Sequence, residues 1–163
     1  MGNHYHFVLQ TRQPNLSALM HRINSTYSAA FNRRHASAGA VFEPRFKAMH
    51  VDRDSYLLQV CRYVDLNPVR ASLVPSAADW RWSSHAAHTG RCQAPPPWLA
   101  SAELLGVLMG QPPQDDVETA AAQRRYADWV AAGRDIRLWD RSLRDGRFLG
   151  DQAFVERVKR LAG

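Results

Sequence analysis

Cysteine, lysine and long apolar runs are what this chain has least of. Its two cysteines, Cys61 and Cys92, are too few for the disulfide framework of a small secreted domain. They also lie outside any metal-type spacing, and read as reduced thiols of a cytoplasmic protein. No stretch approaches the roughly 20 consecutive apolar residues of a membrane span. The N-terminus lacks the charged and apolar regions of a signal peptide. Lysine is nearly missing: of 21 basic residues only Lys47 and Lys159 are not arginine. Arginine presents a planar fork that matches phosphate oxygens.

What is present fits one globular domain with a proper core: 163 residues, 45% of them hydrophobic. A chain of this length buries roughly two thirds of its unfolded surface. The net charge is +6, and it is uneven. Residues 1–75 hold nine bases and four acids, whereas residues 76–163 hold twelve and eleven. The first half is therefore the better candidate for a polyanion surface. A solvated arginine-rich exterior would account for the same balance with no partner at all.

Asn3-His4-Tyr5-His6-Phe7-Val8-Leu9 opens an apolar run rich in β-formers, and we expect a strand over 3–11. On a strand, residues i and i+2 share a face. His4 and His6 would stand side by side, with Tyr5, Phe7 and Leu9 opposite. Two neutral imidazoles on one face can hold one divalent cation. Taken alone, such a pair is an ordinary feature of strands.

Further along, Leu16, Leu19, Met20, Ile23, Tyr27 and Phe31 recur at helical spacing, predicting a helix from Leu16 to Arg34 behind an Asn15 cap. Extended pieces are expected at Val41–Phe42 and Arg45–Val51, broken by Pro44. A second helix is expected over Ser55–Asn67, capped by Asp52 or Asp54 and stopped by Pro68. Leu57, Leu58, Cys61, Val64 and Leu66 would form its buried side. Tyr63 and Asn67 fall one turn apart on the other side. Trp80 and Trp82 belong to an aromatic turn. They could pack beneath it or stack on exposed bases. A brief helix to His88 and a proline-rich stretch follow. Helical patterns then cover Ser101–Met109, Asp115–Ala132 and Gln152–Leu161.

Paired histidines, a helical tyrosine and an asparagine one turn on suggest a reaction. A cation on His4 and His6 could polarise a phosphodiester. A positioned tyrosine beside a positive charge could attack it to give a covalent intermediate. Asn67 could offer its side-chain oxygen as a third ligand.

The same pieces resemble the HUH single-strand transposases, most closely the REP-associated tyrosine transposases of bacteria. The matching stretches are Asn-His-Tyr-His-Phe at 3–7, Phe-Asn-Arg-Arg-His at 31–35, Phe-Glu-Pro-Arg-Phe-Lys-Ala at 42–48, Arg-Tyr-Val-Asp-Leu-Asn-Pro-Val-Arg-Ala at 62–71 and Trp-Ser-Ser at 82–84. The likeness implies an α+β fold, a ferredoxin-like (RRM-like) palm with the histidines on a central strand and the tyrosine on a helix across from it. In that family an opening strand and helix precede the histidines. Here Met1 nearly adjoins them, which implies a palm without its first strand and helix. Gly2, Glu43-Pro44 and Ser72 also depart from the family pattern, in loops. The implied organisation is a palm over 1–90, a proline-rich linker over 91–100 and an all-helical region over 101–163.

The resemblance further implies roles. Tyr63 would be the nucleophile that joins to a 5′ phosphate, with His4, His6 and Asn67 as ligands of Mg2+ or Mn2+. Single-stranded DNA with hairpin or palindromic elements would be the substrate. Arg33, Arg34, Arg45, Lys47, Arg62 and Arg70 are the expected phosphate contacts. Two other readings stay open: a hairpin-binding protein that does not cut, and a small metal-dependent hydrolase, for which no carboxylate motif speaks. The residues leave monomer or dimer, and the DNA sequence recognised, undecided.

Overall fold

The computed structural model describes residues 2–43, 45–133 and 148–162. Helix dominates. In chain order the elements are α1 (Leu16–His35), β1 (His50–Val51), α2 (Arg53–Arg70), a 3-10 turn (Ala77–Asp79), α3 (His85–His88), α4 (Ser101–Met109), α5 (Asp116–Ala131), β2 (Phe148–Leu149) and α6 (Gln152–Ala162). Among the described residues, the only sheet is β1 paired in parallel with β2, His50 opposite Phe148 and Val51 opposite Leu149. No helix among them is long and apolar enough to cross a membrane.

This corrects the expected α+β ferredoxin-like palm. Residues 3–11 form no strand, and of 45–51 only His50–Val51 does so. A strand exists only where another backbone completes its ladder. Local β propensity at Phe7, Val8 and Leu9 cannot supply that partner. Val41–Phe42 is likewise irregular, and the expected break at Pro44 lies outside the described residues.

The chain divides into two compact units, Leu9–Ala48 and the remainder. In the first, α1 buries only Met20. Its aromatic residues do most of the packing: Tyr27 lies 5.4 Å from Phe42 and Phe31 4.3 Å from His35, centroid to centroid. Arg33, Arg34 and His35 fill the last turn, where cations oppose the negative helix end. Ala36 ends the helix at φ 50°, a left-handed conformation that usually selects glycine. Asn32 steadies that end: its amide donates to the Gly39 carbonyl at 2.9 Å, and its side-chain oxygen accepts from the Ser37 hydroxyl at 3.0 Å.

In the second unit α2 is walled on two sides. Leu66 joins Ala77, Leu104, Leu105, Ala122, Tyr126 and Val130 in the main core, with Leu58, Cys61 and Val69 packed against it. Val60 meets Leu149 in a smaller cluster bordered by Met49, Val51, Tyr56 and Tyr63. The C-terminal helices therefore share their core with α2. Helix α5 starts cleanly because the Asp115 carboxylate accepts from the Glu118 N–H at 2.7 Å, while the Glu118 carboxylate accepts from the Gln114 N–H at 2.8 Å.

Helix α2 does not stop at Pro68; it continues to Arg70. Proline removes one N–H and one intrahelical bond. The following turn is still closed by the Ala71 N–H to the Asn67 carbonyl at 3.0 Å and the Leu73 N–H to the Pro68 carbonyl at 2.9 Å. One missing bond in a last turn is too small a loss to end a helix packed on both sides.

Candidate functional site

Five of the sequence-selected residues, His4, His6, Tyr63, Asn67 and Arg70, converge within the second unit. The backbone at 3–7 forms no strand, yet its side chains keep a two-residue alternation. The His4 and His6 rings meet edge to face at 5.1 Å, and the Tyr5 and Phe7 rings lie 4.7 Å apart. Both pairings require successive side chains to leave on opposite sides. His6 then reaches α2. Its Nε2 lies 2.8 Å from Asn67 Nδ2, and its ring stands 6.0 Å from the Tyr63 ring, nearly perpendicular. Asn67 is buried at 8% exposure. The His4 Nδ1 lies 2.7 Å from the Asn3 side-chain oxygen, and the Arg70 guanidinium sits 5.1 Å from the Tyr63 ring centroid.

The spacing of Tyr63 and Asn67 accounts for this convergence. Four residues along a helix is one turn, so both side chains meet the histidine segment from one strip of α2. Val60 and Tyr56 extend the strip toward β2.

His6 retains an open edge, but loss of hydration where it meets α2 lowers its pKa below the ordinary 6.5, and the His4 imidazole adds to the effect. The neutral ring is the form that binds a metal. With the Asn67 amide donating, the His6 Nε2 carries a lone pair directed at residue 67. Turning that amide would place its oxygen there instead, since the two amide ends are interchangeable in shape. The separation of 2.8 Å is close to the roughly 3 Å edge between neighbouring ligands held at 2.0–2.1 Å in an octahedral shell. As it stands this is an ordinary hydrogen-bond distance, and a hard or borderline divalent cation could use both groups only after that turn of the amide. Among the described residues no three His, Cys, Asp or Glu side chains gather. Such an ion would draw its remaining ligands from the amide, water or substrate oxygen.

The arginines divide. Arg70 stands at the site. Arg62 packs its guanidinium on the Trp129 ring at 4.0 Å and donates to the Trp129 carbonyl at 3.4 Å, so it is engaged within the helical unit. Arg33, Arg34, Arg45 and Lys47 are exposed and belong to the Leu9–Ala48 unit. Trp82 is 70% exposed with Arg81 over its ring at 4.3 Å, while Trp80 is half-buried.

Sequence reasoning missed a buried polar group behind α2. The Tyr126 hydroxyl donates to the Asp65 carboxylate at 2.8 Å, both residues nearly without solvent contact. Burial pushes the Asp65 carboxyl up to about 7, against the downward pull of that hydrogen bond. The same burial, with Asp65 nearby, pushes the Cys61 thiol up to about 12. His88 packs edge-on against Tyr126 and shares a 2.9 Å hydrogen bond with the Ser101 hydroxyl. The available signal was Asp65 itself, a carboxylate four residues from Cys61 and from Val69 on an otherwise apolar strip.

No protein-family model matches this chain, and no curated protein or solved structure does either.

Proposed function

We propose that this chain cleaves and rejoins single-stranded DNA through a covalent tyrosine intermediate, in the manner of the REP-associated transposases its motifs resemble. One observation carries the reading: residues 61 positions apart, His6 and Asn67, meet at 2.8 Å, with Tyr63 beside them. The reading takes over the chemistry of that family, not its palm.

The Tyr63 hydroxyl oxygen attacks the phosphorus of a phosphodiester and its proton passes to solvent. The bond from phosphorus to the leaving O3′ breaks, O3′ takes a proton, and a free 3′ hydroxyl and a 5′-phosphotyrosine result. Attack of another 3′ hydroxyl on that phosphotyrosine reverses the step and releases Tyr63. Arg70, whose guanidinium lies 5.1 Å from the Tyr63 ring centroid, would balance phosphate charge beside the phenol. His4, His6 and Asn67 are the residues that would hold Mg2+ or Mn2+, whose contribution when bound is to polarise the phosphodiester. Arg33, Arg34, Arg45 and Lys47, in the Leu9–Ala48 unit, are proposed as phosphate contacts in their own right, with an affinity that falls as salt rises.

A non-catalytic hairpin-binding role is the second reading. It is favoured by the Asn67 amide nitrogen facing the His6 lone pair, which ties up the donor a cation would use. A labelled single-stranded hairpin incubated with manganese or magnesium separates the two. A covalent adduct on a denaturing gel, absent in Tyr63→Phe and lost on chelation, supports the enzyme. Salt-sensitive binding with no adduct supports the binder, and an adduct that survives Tyr63→Phe removes the proposed nucleophile.

A further inference from the structure

A second contact surface lies where the chain passes from the 3-10 turn to α3. Arg81 and Trp82 are the central residues of the bend, and its two ends are tied inward. Trp80 is half-buried, and its N–H donates to the Ala77 carbonyl at 3.3 Å. The Ser83 hydroxyl braces the bend, donating to the Trp80 carbonyl at 3.4 Å and accepting from the His85 N–H at 3.2 Å. Ala77 shares the main core with Leu66, so the bend hangs from the helix that carries Tyr63 and Asn67. Five residues of chain span at most about 18 Å, which bounds the distance of Trp82 from Ala77.

From this braced bend the Trp82 indole stands outward, 70% exposed, with the Arg81 guanidinium over its ring at 4.3 Å. A cation across one ring face, at that exposure, leaves the opposite face open to solvent. Among the described residues Arg81 makes no hydrogen bond or ion pair. Lying on a ring does not consume its N–H donors, which remain available to an anion. Residues 76–91 hold Arg81 and Arg91 against the single acid Asp79, so the local balance is positive. An open aromatic face beside an uncommitted cation suits a flat ring attached to an anion. A cationic ligand would be repelled, and an aliphatic one would leave the guanidinium unused. Because the bend is already ordered, stacking on it costs little further conformational entropy.

We propose that Trp82 is a stacking platform for an unpaired base of single-stranded DNA, with Arg81 meeting the phosphate beside that base. Every base has a π-face, so such a platform adds affinity without reading sequence. Trp82 and Arg81 take no part in the proposed cleavage, which enters here only as the ground for choosing DNA as the strand.

Fluorescence anisotropy of a labelled oligo(dT) strand on the full chain, with EDTA present, tests this against an abasic strand of equal length. Trp82→Ala should weaken binding of oligo(dT) by about tenfold, as removal of a stacking aromatic implies, and leave binding of the abasic strand unchanged. Trp82→Phe should restore most of the loss. Arg81→Ala should lower the slope of log affinity against log salt by about 0.7, one phosphate on a single strand. Trp98→Ala removes an indole that is 80% exposed but has no cation over it among the described residues, and should bind as the wild type does. Circular dichroism checks the fold of each variant. Unchanged affinity in Trp82→Ala overturns the platform. So does an equal loss on the abasic strand, an equal loss in Trp98→Ala, or no binding of oligo(dT) by the wild type. An unchanged slope in Arg81→Ala overturns its phosphate contact. Adduct formation with manganese is read separately. Base-dependent binding without an adduct defeats the cleavage reading and leaves the platform standing, whereas an adduct with unchanged binding in Trp82→Ala does the reverse.

Discussion

Replacing His88 by asparagine should alter how stability depends on pH, in a direction set by its burial. His88 is 6% exposed, and burial lowers its pKa from 6.5 to about 4, with His85 adding to the effect. The unfolded chain takes up a proton below 6.5, whereas the folded chain refuses it until about 4. Stability from this group is therefore complete above 6.5 and is lost as pH falls toward 4. The difference amounts to roughly 3 kcal/mol. Asparagine keeps a polar atom near the Ser101 hydroxyl, now 2.9 Å from Nδ1, but cannot titrate. Urea unfolding of both proteins from about pH 7.5 to about pH 4 should show the advantage of the wild type over His88→Asn shrinking by roughly 3 kcal/mol. A gap that stays constant across that range refutes the burial argument, whatever its absolute size.

Asp65 has the opposite sign. With its carboxyl raised from 3.8 to about 7, the folded state holds a proton the unfolded state has released, so wild-type stability falls as pH rises through that window. Asp65→Asn should gain on the wild type by roughly 4 kcal/mol between about pH 4 and about pH 8 in the same assay. Leu105→Ala, at 1% exposure in the main core, should cost about 2–5 kcal/mol by chemical denaturation. Arg62→Ala should lose about 0.5–2 kcal/mol with the Trp129 contact. The slope of DNA affinity against salt should stay as in the wild type, while Arg70→Ala reduces it by about one phosphate contact.

The parts of the site that the sequence revealed are those set by local geometry. Two-residue alternation put His4 and His6 together, and one helical turn put Tyr63 beside Asn67. Both hold in the structure although the first segment is not a strand. The opening strand itself was illegible because pairing depends on a distant backbone. Phe7, Val8 and Leu9 have the composition for a strand but, among the described residues, no ladder to join, and they stay 51%, 38% and 45% exposed. The end of α2 was misjudged for the converse reason. The penalty at Pro68 was visible, while the packing that outweighs it comes from Leu104, Leu105 and Tyr126, far along the chain. Asp65 drew no reading because its partner, Tyr126, is 61 residues away. Helices α4 and α5 were legible, since a helical pattern is a local feature; that Asp115 caps α5 instead of opening it was not.

The 18-residue rod of α2 has one further implication, for how this protein can change over time. Leu66 and Asn67 are neighbours on it, one committed to the interior and the other to His6. Any drift that rolls or slides the rod to accommodate a new neighbour at Leu105 carries the asparagine and the phenol along with it. Screens for loss or gain of the proposed cleavage should accordingly recover substitutions in α4 and α5 away from the candidate site, because scaffold and candidate site are inherited as a single mechanical part.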